Sequence, residues 1–396
     1  MKTGLFILIA GILCVLINDS LLYLQIKRYF KRKIYSYLFW FQSLFFVACI
    51  VGYHLFIPTL KGPEAYFWVE KAISVILLFY TPKTLYIIVN AFSLLLRKMK
   101  CIPAAKVISR LALGIALLAF IMILNGITWY RYSYKIERET VCIKRLPDNF
   151  NNFRIIQLTD LHLGSYGEHY PGITKLVNEV NRLKPDLIVF TGDMVNSFAS
   201  EITPWIESLR ELKAKYGKYA ITGNHDYGTY VKWPTREDQE NNLKHFFENM
   251  ELTGFKMLNN MNIPLVIGSD TLYLAGVENW GLPPFPCFGQ LSQALEGTAR
   301  HPVILLSHDP SHWRHEVLNY PVDLMLAGHT HAMQLGITIG NFRWSPAKYV
   351  YPEYNGLYES NGQQLYVSRG VGYLGFAGRI GQRPEITLIQ LTNDCK

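Results

Sequence analysis

Five short apolar runs in this 396-residue chain end in residues that bind metals. Ile155-Ile156-Gln157-Leu158 leads into Asp160 and His162, and Leu187-Ile188-Val189-Phe190 leads into Asp193. Tyr219-Ala220-Ile221-Thr222 leads into Asn224 and His225, Val303 to Leu306 into His308, and Leu324 to Leu326 into His329 and His331. Carboxylates, imidazoles and an amide oxygen at adjacent strand ends suit borderline divalent metals, with enough ligands for two ions. One such strand end carries little information, but five together make coincidence a poor account.

The elements that must carry these residues follow from the apolar period. After the first three runs come helical patterns: Ile173 to Leu183, with apolar residues at 173, 176, 177, 180 and 183, then Trp205 to Lys215, then Asp238 to Met250. Strand, polar cluster and helix in repetition are βαβ signatures, and such polar strand ends are the usual place of an α/β active site. Further on, strands are expected at Phe255 to Leu258, Leu265 to Gly268, Leu272 to Val277, Gln334 to Ile337, Gln364 to Val367 and Ile386 to Leu391, with one helix near Leu291 to Thr298. Two mixed β-sheets packed face to face and flanked by helices accommodate this inventory. A single doubly wound sheet is the alternative.

The first third of the chain is of another kind. The composition is 50% apolar and 17% charged, and the net charge is +9; soluble proteins carry about 25% charged residues. That excludes a disordered chain, while the positive balance invites a nucleic-acid reading. Its distribution argues against one: residues 1–135 hold sixteen Lys and Arg against three Asp and Glu, a net +13, and the rest sums to −4. Apolar stretches run from about Leu5 to Leu24, Tyr37 to Leu60, Ala72 to Leu95 and Leu111 to Trp129, each long enough to cross about 30 Å of hydrocarbon. Four spanning helices are expected. The first reads as an uncleaved anchor, since Asn18 and Asp19 interrupt its far end and no small-residue cleavage site follows. Pro82 and Lys83 fall inside the third, which reads as a kinked helix facing its neighbours, as a helix with a functional membrane-embedded lysine, or as two shallow interfacial segments. Lys27, Arg28, Lys31, Arg32 and Lys33 fill the first connection, and Arg97, Lys98, Lys100, Lys106 and Arg110 the third; the second has only Lys61 against Glu64. The basic connections belong in the cytoplasm, so the large C-terminal part is expected outside, in a periplasm or extracellular space. Cys142, Cys287 and Cys395 give that part no disulfide framework or zinc cluster, although a single Cys142–Cys395 bridge joining the domain's ends is possible. The expected division is a transmembrane region 1–130, a connector 131–149 and a catalytic domain 150–396.

Asp160-x-His162, Gly192-Asp193, Gly223-Asn224-His225-Asp226, Ser307-His308 and Gly328-His329-x-His331 resemble, in order and spacing, the five blocks of the calcineurin-like metallophosphoesterase superfamily, and within it the membrane-associated bacterial branch. The resemblance covers residues 150 to 395 and implies a two-sheet sandwich with a dinuclear centre. Block by block, it implies that Asp160, His162 and His331 hold one ion, that Asn224, His308 and His329 hold the other, and that Asp193 bridges both. His225 would be the catalytic histidine. Two such cations can activate water and neutralise phosphoryl oxygens as charge builds; the cofactors are two divalent ions, Mn, Fe or Zn, a choice the ligand types leave open. One departure stands out. Where many protein-phosphatase members carry an aspartate that orients the histidine, this chain has Asn196, so Asp226 or Asp309 is expected to hydrogen-bond a histidine of the site instead.

Substrate contacts are expected from loops. Tyr227 to Asp238, with Tyr227, Tyr230, Trp233 and Arg236, and Asn279 to Gly289 resemble the lining of a mouth. Tyr227 is the aromatic candidate there, and Arg369, followed by glycines 370, 372 and 375, is the candidate for phosphate contact. The aromatic run Phe342 to Tyr358 suits either a bilayer interface or loop packing. Gly192 and Gly223 suit sharp turns, and no dinucleotide or P-loop fingerprint occurs. The function expected is hydrolysis of a phosphomonoester or phosphodiester on a membrane lipid or phosphorylated envelope substrate, with no nucleic-acid partner. The rival is a non-catalytic metal-binding membrane sensor or interaction protein, disfavoured because His225 and Asn224 are both present. A transporter built on the four spans would gain only from Lys83 and His54.

Overall fold

The apolar stretches of the first third fold as four helices, each long and apolar enough to cross a membrane: α1 Lys2–Ile26, α2 Lys33–Phe56, α3 Glu64–Lys98 and α4 Ile102–Thr128. The computed structural model describes residues 2–56, 60, 62–167, 171–339 and 342–395; Lys61 lies outside them. The chain divides into two units, Met1–Thr128 with Gly375–Ala377, and Trp129–Leu374 with Gly378–Lys396.

In the first unit the third span is one 35-residue helix that continues through Pro82. Lys83 faces its neighbours. Its Nζ donates to Asp19 Oδ1 and Gln42 Oε1, each at 2.8 Å, and Tyr80 Oη donates to Asp19 Oδ2 at 2.9 Å. A charge that is costly in hydrocarbon is thereby matched by a carboxylate on α1.

The second unit runs through β1 Lys135–Cys142, β2 Arg154–Leu158, α5 Gly172–Arg182, β3 Leu187–Phe190, α6 Ile206–Arg210, β4 Lys218–Ala220 and α7 Arg236–Leu252. There follow β5 Lys256–Met257, β6 Met261–Ile267, β7 Asp270–Gly276, α8 Leu291–Ala294, β8 Val303–Leu306, α9 Ser311–His315 and β9 Leu324–Ala327. Last come β10 Ile337–Ile339, β11 Phe342–Trp344, β12 Gly356–Ser360, β13 Gln363–Val367 and β14 Glu385–Thr392. Two six-stranded mixed sheets result, in the orders β1-β14-β2-β3-β4-β5 and β12-β13-β9-β8-β7-β6, with β10 and β11 as a separate pair. The period of two sorts side chains between layers. Ile304, Leu306, Leu324 and Leu326 join a core with Ile155, Leu187 and Val189 of the other sheet, while Leu305, Met325 and Ala327 point to a second core under α8 and α9.

Several expected boundaries shift for identifiable reasons. Residues 131–149, read as a connector, contain β1, which pairs in parallel with β14 over eight residues. Cys142 at its end is bonded to Cys395, with Cα atoms 5.4 Å apart. The helix expected over Trp205 to Lys215 stops at Arg210, because Asn181 takes up the backbone beyond it: Nδ2 donates to Glu211 O and Oδ1 accepts from Lys213 N, each at 2.8 Å. Gln334 is not in a strand. Residues His331 to Gln334 form a left-handed turn with φ of 47°, 46°, 48° and 53°, pinned where Gln334 Oε1 accepts from Leu374 N at 2.8 Å. α7 extends to Arg236 because Thr235 and Asp238 cap each other's backbone N–H groups at 3.1 and 3.0 Å.

Candidate metal centre

Each ligand-bearing loop leaves its sheet at the C-terminal end of β2, β3, β4, β8 or β9, and the backbone bends sharply as it does. Asp160, His162, Asp193, His329 and His331 all have positive φ, between 47° and 69°. None of these types adopts that region freely, so the arrangement costs energy and persists only where its surroundings enforce it. Two glycines let the loops close on each other. A Cβ on Gly192, at φ 97°, would lie 2.6 Å from Gly223 N and 2.7 Å from His308 Nδ1, and one on Gly223 would collide with the Asp193 carboxylate.

The side chains converge in three overlapping groups: Asp160 with His162 and His331, His162 with Asp193 and His225, and Asp193 with His308 and His329. Within each group the candidate ligand atoms lie within 4.8 Å of one another. Asp193 Oδ2 stands between the groups, 3.7 Å from His162 Nε2 and 3.1 Å from His308 Nε2. His331 Nε2 lies 3.3 Å from Asp160 Oδ1 and 3.0 Å from His162 Nε2.

The remaining ring nitrogens are anchored to the protein. His162 Nδ1 is paired at 3.0 Å with Asn196 Oδ1, and His308 Nδ1 at 2.7 Å with the Thr191 carbonyl. Donation from Nδ1 directs each Nε2 lone pair into the cluster. His329 is turned the other way: its Nε2 meets Tyr351 Oη at 2.9 Å, so Nδ1 is the nitrogen left for a cation. Asn224 donates Nδ2 to Tyr230 Oη at 2.8 Å, and its Oδ1 is buried without a hydrogen bond, as is His308 Nε2. Orphaned acceptors in a buried site, and two imidazole nitrogens 3.0 Å apart, are what a divalent-cation site requires of its donors. The residues therefore fit two divalent ions.

The electrostatics agree. Burial works against the charged form of Asp193 and Asp160, but surrounding imidazoles, His308 foremost for Asp193 and His331 for Asp160, hold both carboxyls well below their ordinary range. Burial lowers His225 and His162. His308 is pushed up to about 10: burial opposes its charge, and the Asp193 carboxylate overrides that opposition.

His225 Nδ1 is paired with the backbone carbonyl of Asn196 at 2.8 Å, and its ring stacks on Tyr230 with centroids 4.3 Å apart. Asn196 thus serves two histidines, one through its side chain and one through its backbone. Among the described residues, Asp226 makes no hydrogen bond to a histidine. Its carboxylate accepts from the backbone N–H groups of Asp193, Met194, Val195 and Gly223 at 2.8 to 3.2 Å, holding the loop instead. Asp309 Oδ2 lies 4.0 Å from His329 Nε2, while its Oδ1 accepts from Ser311 N.

Two expected substrate contacts are engaged elsewhere. Arg369 is 3% exposed; its Nε donates to Glu385 at 2.6 Å, Nη1 to Gln382 at 3.2 Å and Nη2 to Glu137, so it ties β1 to β14 rather than facing phosphate. Tyr227 Oη is taken up by Thr222 and Glu278. The mouth loops reach the cluster through neighbours, Tyr230 against His225 and Phe285 against His329. Residue types alone left three supports unseen. Glu201 accepts from Gly164, Asn196, Ser197 and Phe198 N–H groups, Tyr351 meets His329, and Arg379, fully buried, lies 3.4 Å from His331 Nδ1 and donates to the carbonyls of Arg369, Gly370 and Gly372.

Residues 153–333 match the family described as calcineurin-like phosphoesterase, and residues 3–131 the family described as probable calcineurin-like phosphoesterase, transmembrane domain. An uncharacterized metallophosphoesterase, YkuE, of Bacillus subtilis is 32% identical over 273 residues, 67% of this chain and 89% of the relative. A transmembrane protein with metallophosphoesterase domain from Danio rerio is 32% identical over 268 residues, 65% of this chain and 57% of the relative. Its Bos taurus counterpart is 33% identical over 267 residues, 63% and 55%. The chain thus spans a little over half the length of these two vertebrate relatives.

Proposed function

Because the chain belongs to the calcineurin-like metallophosphoesterases, we propose that it is a membrane-anchored dinuclear-metal phosphohydrolase that cleaves a phosphomonoester or phosphodiester of a lipid or cell-envelope substrate. The observation that carries this reading is the place of Asp193 Oδ2 between His162 Nε2 and His308 Nε2, at 3.7 and 3.1 Å. Asp160, His162 and His331 would hold one ion, Asn224, His308 and His329 the other, and Asp193 both. Two ions, whether Mn, Fe or Zn, would supply an activated water and a clamp for phosphoryl charge.

The protein's own groups do the rest. Asn196 Oδ1 and the Thr191 carbonyl fix the tautomers of His162 and His308. A backbone carbonyl accepts a hydrogen bond from His225 Nδ1–H and cannot take the proton away, so Nε2 is the atom that exchanges a proton with a leaving oxygen. Tyr230 packs on the same ring and limits its rotation.

Substrate class rests on tethering. Only six residues separate α4 from β1, and a domain tethered that closely to a spanning helix meets lipid phosphates at high effective concentration. Basic first and third connections support a catalytic domain in the periplasm or extracellular space, and the Cys142–Cys395 bridge supports the same placement, since disulfides persist in oxidising compartments. That side disfavours cytoplasmic UDP-linked lipids. The test is turnover of an aryl phosphomonoester and an aryl phosphodiester by purified protein with Mn²⁺. Metal-dependent hydrolysis of either, abolished in Asp193→Asn, is expected; no turnover on both would overturn the reading. Lipid extracts from cells with and without the intact gene would then identify the substrate.

A further inference from the structure

A cavity of about 580 Å³ opens among α1, α3 and α4 within the membrane unit. Four cations line it: Lys83, which is paired with Asp19, Arg97 in the last turn of α3, and Lys106 and Arg110 in the first turns of α4. No carboxylate of the described residues does. The unit's helices hold only three acidic residues; Asp19 is committed to Lys83, while Glu64 and Glu70 lie in the first two turns of α3, at the other end from Arg97. Arg97 Nε is buried and makes no hydrogen bond among the described residues. Beyond Lys83, three positive groups converge on a space whose described lining supplies nothing negative.

The rest of the wall is of a different character. Leu22 and Ile26 of α1 and Leu113 and Ala116 of α4 present apolar surface, with the hydroxyls of Tyr29, Tyr86 and Ser109 between. From Lys106 to Ala116 is ten helical residues, about 15 Å along the axis. That depth exceeds what an inorganic phosphate needs, and a free phosphate would leave the apolar wall uncovered. A neutral lipid would cover the wall and leave the cations unmatched. An anion with a hydrocarbon tail satisfies both.

We propose that this cavity is a binding site for an anionic phospholipid, its phosphate held by Arg97, Lys106 and Arg110 and its glycerol and upper acyl chains lying along α1 and α4. The site is independent of the metal centre. It differs from the general attraction of basic loops for an anionic leaflet in using these three cations and not their neighbours. Arg32, Lys33 and Lys100 belong to the same two basic connections and do not line the cavity.

The experiment is native mass spectrometry of the full chain released from nanodiscs of phosphatidylcholine mixed with phosphatidylglycerol. Wild type is expected to retain phosphatidylglycerol selectively. The triple variant Arg97→Gln, Lys106→Gln, Arg110→Gln should lose at least about tenfold of that retention, since each basic contact is a sizeable part of headgroup affinity. The equally neutralised control Arg32→Gln, Lys33→Gln, Lys100→Gln should keep it. Ala116→Trp, which keeps every charge and fills the cavity, should lose it as well, so the outcome does not hang on one variant's folding. Equal loss in the control triple, full retention in Ala116→Trp, or displacement of the lipid by millimolar inorganic phosphate would each overturn the proposal.

Discussion

Lys83 in the membrane helices, half-buried, and His308 at the strand ends, fully buried, both lie beside an aspartate, yet their surroundings differ in kind. Lys83 finds Asp19 and Gln42, and Asp19 finds Tyr80, all on regular helices. The strand-end cluster holds two carboxylates and five histidines on loops whose φ angles are positive at five of the key residues. Two of its imidazole nitrogens face each other at 3.0 Å, and Asn224 Oδ1 and His308 Nε2 have no hydrogen bond. The first cluster is balanced by its own residues and holds helices together. The second gathers more donors than the protein can satisfy and pays for strained backbone to do so, which is the signature of a site completed by something that binds.

That contrast can be broken at four points. Asp193→Asn removes the atom common to both halves of the metal cluster and should cut turnover on the order of 10⁴-fold, a several-kcal/mol loss of electrostatic stabilisation; the check is kcat/KM on an aryl phosphoester with the melting temperature unchanged or raised. His225→Gln should cost about 10²- to 10⁴-fold in kcat while leaving the metal content of the purified protein as in wild type, measured by elemental analysis. Asp19→Asn strands a lysine among spanning helices and should destabilise the membrane unit by about 3 kcal/mol. Adding Lys83→Met should restore most of it, read as thermal aggregation in detergent, with turnover per folded molecule unaffected. Asn196→Ala frees His162 Nδ1 and should weaken metal affinity by about 10- to 100-fold. Its kcat at saturating metal should stay near wild type, because the carbonyl that orients His225 belongs to the backbone.

The ligand-bearing strand ends were legible because apolar runs and donor residues are local in the sequence, and the same holds for the four spanning helices. What escaped depends on partners far along the chain or on atoms that residue type does not reveal. Arg369, with glycines after it, reads as a phosphate contact until Glu137, 232 residues away, is found on its guanidinium. The edge strand β1 has four charged residues in its first five positions and is a strand only through β14, some 250 residues on. Asn196 reads as the loss of an orienting aspartate, whereas the orienting group is its main-chain carbonyl. Asp19 and Lys83 each read as a blemish in a span, and only the helix packing makes them a pair. The short α6 depends on Asn181 capturing backbone groups that a helix would otherwise use.

The most direct test of a dinuclear phosphohydrolase is a metal titration of the stripped full chain, with bound ions counted per chain and turnover of an aryl phosphoester followed in the same samples. Turnover should appear as the chain takes up its second ion, and Asp193→Asn should prevent that recovery at any metal concentration. Full turnover in the stripped chain, or saturation with ions and no turnover on monoester or diester, would contradict the account.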